Sequence, residues 1–254
     1  MSGKPRVPLL DIAIDAVTPQ QAVAHIARWA QQGQSRYVCV ANVHMVMEAH
    51  DRVEVRRAVQ EADLVVPDGM PLVWWLRLMG LRQQPRVYGP DLMLRVCAWA
   101  AQAGVPIGLY GAQPQTLRAL HARLQERFPR LSIAYQYSPP FRPLSAEEDR
   151  GVVEAIRRSG ARVLFVALGC PKQELWMAAH RGRAPAVMLG VGAAFDFLAE
   201  MKPQAPRWMR HWGLEWLFRL LTEPRRLWRR YLYHNPRFLW LAGRQWLAQR
   251  LFRG

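Results

Sequence analysis

One carboxylate, Asp68, stands between an apolar run ending at Pro67 and a glycine, Gly69. A carboxylate at the mouth of a cleft, partly withdrawn from water, has its pKa raised toward the range where it can take a proton from a hydroxyl. Pro67-Asp68-Gly69 also reads as an ordinary turn, with the aspartate accepting backbone hydrogen bonds and the glycine at positive φ. Asn42 follows the apolar run Tyr37 to Val40. Its amide could orient a sugar hydroxyl through both ends, or it could cap a helix beginning at Val43. His44 reads as a helix residue rather than a base. Gly111 and Gly169 sit at strand-to-helix junctions, where backbone N–H groups favour an anion. Gly190 and Gly192 leave room for a ligand or for close packing. Arg86, in the segment Arg86 to Asp91, and the arginines beyond residue 200 could meet a diphosphate.

Other chemistries lose support. No G-x-G-x-x-G follows the first strand and no G-x-x-x-x-G-K-[ST] occurs, which argues against dinucleotide and P-loop sites. There is no D-x-D and no H-x-x-x-H, and Cys39, Cys97 and Cys170 stand far apart, so neither a metal nor another cofactor is expected. Lone cysteines suit a reducing compartment. The stretch MSGKPRVPLL lacks the features of a secretory signal, and no run reaches the ~18 apolar residues of a membrane span.

The elements that must position these residues alternate through the first two hundred positions. Apolar runs at Leu9 to Ile14, Tyr37 to Val40, Asp63 to Val66, Pro106 to Tyr110, Ser132 to Tyr137, Arg162 to Leu168 and Ala186 to Gly190 read as strands buried on both faces. Helical patterns separate them, two opened by capping boxes, Thr18 with Gln21 and Ser145 with Glu148. This predicts an α/β fold, a mostly parallel sheet with helices on both faces. Ligands of such sheets bind beyond the carboxyl ends of the strands, the rim where the polar and glycine residues gather. Three prolines make Ser138 to Leu144 a loop at the sheet edge. The alternation stops after Phe197, giving a body over 1–200 and a helical appendage over 201–254, divided by Pro203, Pro206, Pro224 and Pro236.

The chain has 254 residues, 51% of them hydrophobic, enough for a buried core. Its 35 Lys and Arg against 19 Asp and Glu give a net charge of +16. From Lys202 onward, twelve basic residues face only Glu215 and Glu223, and six of the eleven tryptophans lie there too. Arginine interleaved with tryptophan suits an anionic membrane surface. The same composition binds nucleic acid, and Trp208, Trp212 and Trp216 at spacing four could instead be the core face of a helix.

With these pieces in order, the chain resembles the WecG/TagA/CpsF family of bacterial glycosyltransferases from about Leu9 to Phe238. The motifs ANVHM, ADLVVPDGMP, RVYGPDL, LYGAQP, LGCPKQEL, GVGAAFDF, QAPRWM, GLEWLFRL and EPRRLWRRY fall in the family's order. The wording NVHM with PDGMPLVW looks more like members of exopolysaccharide clusters than those of teichoic acid synthesis. The resemblance implies a Rossmann-like body with a membrane-targeting appendage, peripheral on the cytoplasmic face of the membrane. It implies inverting, metal-independent transfer of a hexosyl or N-acetylhexosaminyl group, from a UDP-sugar of the UDP-glucose or UDP-N-acetylmannosamine type, to a saccharide on polyprenyl diphosphate. The family's base then matches Asp68, its acceptor-side asparagine Asn42, its arginine before V-x-G Arg86, and its P-K-Q-E glutamine Gln173. The tail arginines that close over the site and meet the diphosphate match Arg219, Arg226 and Arg229. Val40 stands where many members have threonine, and Glu200 and Gln204 replace a glycine and a basic residue. A nucleic-acid-binding α/β protein and a membrane scaffold without catalysis are the rival expectations.

Overall fold

Residues 5–251 are described by a computed structural model. The chain opens with β1 (Arg6–Leu9), β2 (Ile12–Asp15), α1 (Pro19–Gln31), β3 (Arg36–Ala41), α2 (Val43–Asp51), α3 (Val53–Gln60), β4 (Leu64–Pro67) and α4 (Met70–Leu78). It continues with α5 (Gly89–Ala103), β5 (Ile107–Gly111), α6 (Pro114–Arg127), β6 (Ile133–Tyr137), α7 (Ala146–Ser159), β7 (Val163–Ala167), α8 (Lys172–His180) and β8 (Val187–Gly190). Four helices follow: α9 (Ala194–Leu198), α10 (Arg207–His211), α11 (Glu215–Thr222) and α12 (Pro224–Leu251). Both capping boxes form, each cap side chain accepting from the third helical N–H while that residue's side chain returns to the cap N–H.

Six strands make one parallel sheet in the order β4-β3-β8-β7-β5-β6. Alternation across the pleat divides the core into two layers. Tyr37, Cys39 and Ala41 of β3 face a layer with α2, α3, α4, α7 and α8, whereas Val38 and Val40 face one with α1, α5, α6 and α9. This is the α/β, Rossmann-like architecture expected, and Ser138 to Leu144 is a loop following the edge strand β6.

Three expectations are corrected. The run Leu9 to Ile14 is not one strand of the sheet but splits between β1 and β2, an antiparallel hairpin turning at Leu10 (φ 51°). A leucine at positive φ gives no turn signal in the sequence, and the strain is held from outside: Gln245 of α12 accepts the Leu10 N–H at 2.7 Å and Gln60 donates to the Asp11 carbonyl at 2.7 Å. The hairpin in turn covers the outer edge of β4, where buried Asp15 accepts the Val65 N–H at 2.7 Å. Second, Pro236 does not divide the tail, because α12 continues through it. The carbonyl that loses its partner belongs to Leu232, which is exposed, so water can serve it. Third, Trp208, Trp212 and Trp216 do not share a helix, since Gly213 (φ 72°) separates α10 from α11. Trp208 is 60% exposed and Trp212 69%, which excludes the core-face reading for both.

α12 is not detached from the body. Phe238 and Ala242 enter the α2/α4/α8 layer, and Arg237 forms a two-bond pair with Asp51 of α2, both at 2.8 Å.

Gly111 ends β5 at φ 111°, and a Cβ there would lie 2.5 Å from the Ala167 carbonyl oxygen of neighbouring β7. Gly111→Ala therefore combines an unfavourable backbone region with a backbone clash. It is expected to destabilise the fold by about 1–3 kcal/mol or more, measured as a lower urea midpoint at unchanged m-value.

Candidate active site at the carboxyl rim of the sheet

Adjacent strands β4 and β3 end side by side, and their first following residues are Asp68 and Asn42. The Asp68 and Gly69 N–H groups both donate to the Ala41 carbonyl, at 2.9 and 3.1 Å. Gly69 has φ −71° and acts as N-cap of α4, so the turn reading with a positive-φ glycine does not apply. A Cβ there would sit 3.2 Å from the Asn42 Cα, a tight backbone approach that favours glycine. Asn42 caps α2, its Oδ1 accepting the Met45 N–H at 3.2 Å, which leaves the Nδ2 donor outside the cap.

Arg86 reaches Asp68 because the Val87 N–H donates to the Pro67 carbonyl at 2.9 Å, laying the segment before α5 along the end of β4. The Arg86 Nε donates to the Asp68 carbonyl and its Nη2 lies 3.4 Å from Asp68 Oδ1. The first N–H of α5, from Gly89, donates to the same Oδ1 at 3.1 Å. Burial pushes the Asp68 carboxyl up, to about 6; the Arg86 charge opposes it, Glu215 reinforces it, and the Gly89 N–H and Arg219 oppose it. The side chain still keeps 18% of its surface, so a small group can reach it.

The appendage closes directly over this carboxylate. Glu215, at the start of α11, accepts from Arg86 Nη2 at 2.8 Å and from the Tyr88 hydroxyl at 3.3 Å. Gln204 donates to that hydroxyl at 2.9 Å, and the Arg86 and Arg210 guanidinium groups stack on the Tyr88 ring at 4.2 and 5.2 Å.

The expected arginines are not arranged alike. Arg219, on α11, lies over the Phe197 ring at 5.6 Å; its Nε is buried without a partner and its charge is felt at Asp68. Arg226 pairs with Glu223 at 2.6 Å, and Arg229 is exposed over Trp228. Arg230 is the inward neighbour: its Nε is buried without a partner. Burial pulls its guanidinium pKa below the ordinary value, and the Arg219 and Arg226 charges pull the same way. Arg219, Arg226 and Arg230 thus lie within electrostatic reach of one another, and among the described residues Arg226 has Glu223 as its acidic partner.

Gln173 is 4% exposed, its Nε2 donating to Glu174 at 2.8 Å and its Oε1 buried without a partner. It lies across Gly190 and Gly192, where added Cβ atoms would come within 3.0 Å of Nε2 and 3.4 Å of Oε1. The two glycines thus accommodate Gln173. Gly111 packs on Ala167. Glu174 is fully buried, and burial raises its carboxyl to about 7. Sequence reasoning missed Glu215, Tyr88, Arg210, Arg230 and Glu174. Glu215 carried a signal, as one of two acids in a strongly cationic segment.

A buried-rim carboxylate under an arginine, a capped amide on the next strand and a cluster of cations from the closing appendage suit proton removal beside an anionic leaving group. The family model for glycosyl transferases of the WecG/TagA/CpsF family matches residues 7–251. The chain belongs to that family. It is a glycosyltransferase of cell-surface polysaccharide synthesis, working with a nucleotide-sugar donor and a saccharide acceptor. Among the described residues of this glycosyltransferase, no helix is long and apolar enough to cross a membrane.

Proposed function

We propose that the enzyme moves a hexosyl or N-acetylhexosaminyl group from a UDP-sugar to a saccharide carried on polyprenyl diphosphate, in exopolysaccharide or related synthesis, by one inverting displacement. The observation that carries this reading is the Asp68 carboxylate at the carboxyl rim of the sheet, held by Arg86 and the Gly89 N–H while Glu215 of the appendage grips the same Arg86. Asp68 takes the proton of the acceptor hydroxyl as its oxygen bonds to the anomeric carbon. The bond from that carbon to the phosphate oxygen breaks, and the electron pair leaves on UDP. Arg219 and Arg230, with Arg226 beside them, meet the diphosphate charge, while Asn42, through Nδ2, orients a sugar hydroxyl and buried Gln173 supports the Gly190 and Gly192 backbone at the rim. No metal enters this scheme, since fixed guanidinium groups neutralise the leaving group.

Closure by α10 and α11 excludes water, which would otherwise hydrolyse the donor. Exposed Trp208, Trp212, Trp228 and Trp240 on the appendage, with Arg207, Arg225 and Arg229 among them, support docking to the anionic cytoplasmic face of the membrane. α4 extends this surface: Trp74 and Leu78 are about half exposed, and Trp74 packs against Gly213. α4 starts directly after Asp68-Gly69, so docking and completion of the site become one event.

Two assays test this. A panel of UDP-sugars offered with a polyprenyl-diphosphate saccharide should yield turnover of one donor class and release of UDP; no turnover of any member would refute the donor assignment. Trp212→Ser with Trp240→Ser is expected to lower sedimentation with anionic vesicles at least about tenfold, given the apolar area two indoles bury. Unchanged vesicle binding, or tight salt-sensitive binding to RNA instead, would overturn the membrane assignment.

A further inference from the structure

Two histidines and a glutamate meet where α12 crosses α2. His44 and Glu48 are one helical turn apart on α2, and His234 enters between them from α12. One ligand-type atom from each lies within 4.8 Å of the others. Glu48 Oε1 is 3.9 Å from His44 Nδ1 and 3.9 Å from His234 Nε2, with the imidazole centroids 5.1 Å apart. These separations are too long for hydrogen bonds. The two carboxylate-to-imidazole separations exceed by roughly half an ångström the ~3.3 Å between ligand atoms of a tetrahedral site with bonds of about 2.0–2.1 Å, and with the set spanning up to 4.8 Å the side chains close further on binding. The His44 Nδ1 is buried without a hydrogen-bond partner, a lone pair or N–H that the protein leaves unsatisfied. The three side chains keep only 14%, 18% and 12% of their surface.

We propose that His44, Glu48 and His234 bind a zinc-class divalent ion that clamps the appendage to the body. Two imidazoles and one carboxylate suit zinc rather than the all-oxygen shells of magnesium or calcium. Arg52 Nη1 lies 3.6 Å from the other carboxylate oxygen, Glu48 Oε2, an ion pair beyond hydrogen-bond length that leaves Oε1 to the ion. A cleft of about 550 Å³ lined by His234, Tyr233 and Arg230 opens beside the cluster on its α12 side. Arg230 and Arg237 are the positive charges that oppose a cation here. The ion takes no part in the proton transfer assigned to Asp68, and the proposal stands apart from the donor and acceptor assignments. Sequence reasoning sought H-x-x-x-H, whereas this set is H-x-x-x-E completed 186 residues later.

The test is cobalt titration of the full chain after dialysis against a chelator, followed by visible d–d absorption, zinc competition and thermal melting. The proposal expects one saturable band that zinc abolishes and a higher Tm with zinc. It expects the band and the shift to be lost in both His234→Gln and Glu48→Gln, which sit on different helices, and kept in His211→Gln, at an exposed site outside the cluster. No band with the wild-type chain, or a band that persists in folded His234→Gln and Glu48→Gln, overturns it. These readouts use no transfer assay, so they fail or succeed independently of the glycosyl-transfer reading.

Discussion

Asp68→Asn is expected to lower kcat/KM for sugar transfer by about 10²–10⁴-fold while leaving the fold intact. An asparagine Oδ1 can still accept from the Gly89 N–H and from Arg86, so the local hydrogen bonds survive. What is lost is the ability to hold a proton. Stability should be unchanged or slightly higher. Because the folded pKa lies above the unfolded one, the charged Asp68 costs stability once pH exceeds the unfolded value, and that cost is removed with the carboxylate. Loss of activity together with a lower urea midpoint would instead assign Asp68 a structural role.

The second large effect concerns the two inward arginines. Arg219→Ala and Arg230→Ala are each expected to reduce transfer by about 10²–10³-fold, the range for removing one preorganised group from developing charge. Arg229→Ala should cost far less in turnover with a soluble acceptor analogue, because its guanidinium lies exposed over Trp228. Stability separates this from a packing effect. Arg219 and Arg230 carry buried Nε donors without partners, so their removal does not strand a carboxylate and should leave the melting temperature near wild type. Steady-state kinetics on vesicle-borne acceptor, with melts of the same preparations, checks both halves. Wild-type rates in Arg219→Ala and Arg230→Ala would remove the diphosphate role from this cluster.

Much of the sheet was legible because parallel strands buried on both faces read as continuous apolar runs, and because Thr18 and Ser145 announce their helices with full capping boxes. Placing Asp68 and Asn42 together followed from the same logic, since both are first residues beyond their strands. The hairpin at Leu10 was hidden because its unfavourable φ is maintained by Gln245, more than two hundred residues away. The continuity of α12 through Pro236 was hidden because proline lowers helix propensity locally, while packing of Phe238 and Ala242 against the body prevails. At the site, helical spacing grouped Arg226 with Arg229 but could not tell which face meets the core, so Arg230 went unnoticed. The Glu215 to Arg86 pair and the His44, Glu48, His234 cluster depend on where the appendage lands, which periodicity does not encode.

The central claim, that the Asp68 carboxylate receives the acceptor's proton, is tested most directly by the pH dependence of kcat/KM in the wild type and in Glu215→Gln. The rate should rise with pH through a limb near 6, as the carboxyl ionises. Glu215 is one of the charges raising that carboxyl, so its neutralisation should move the limb to lower pH. A profile flat across this range, or a limb at the same pH in both proteins, would contradict the account.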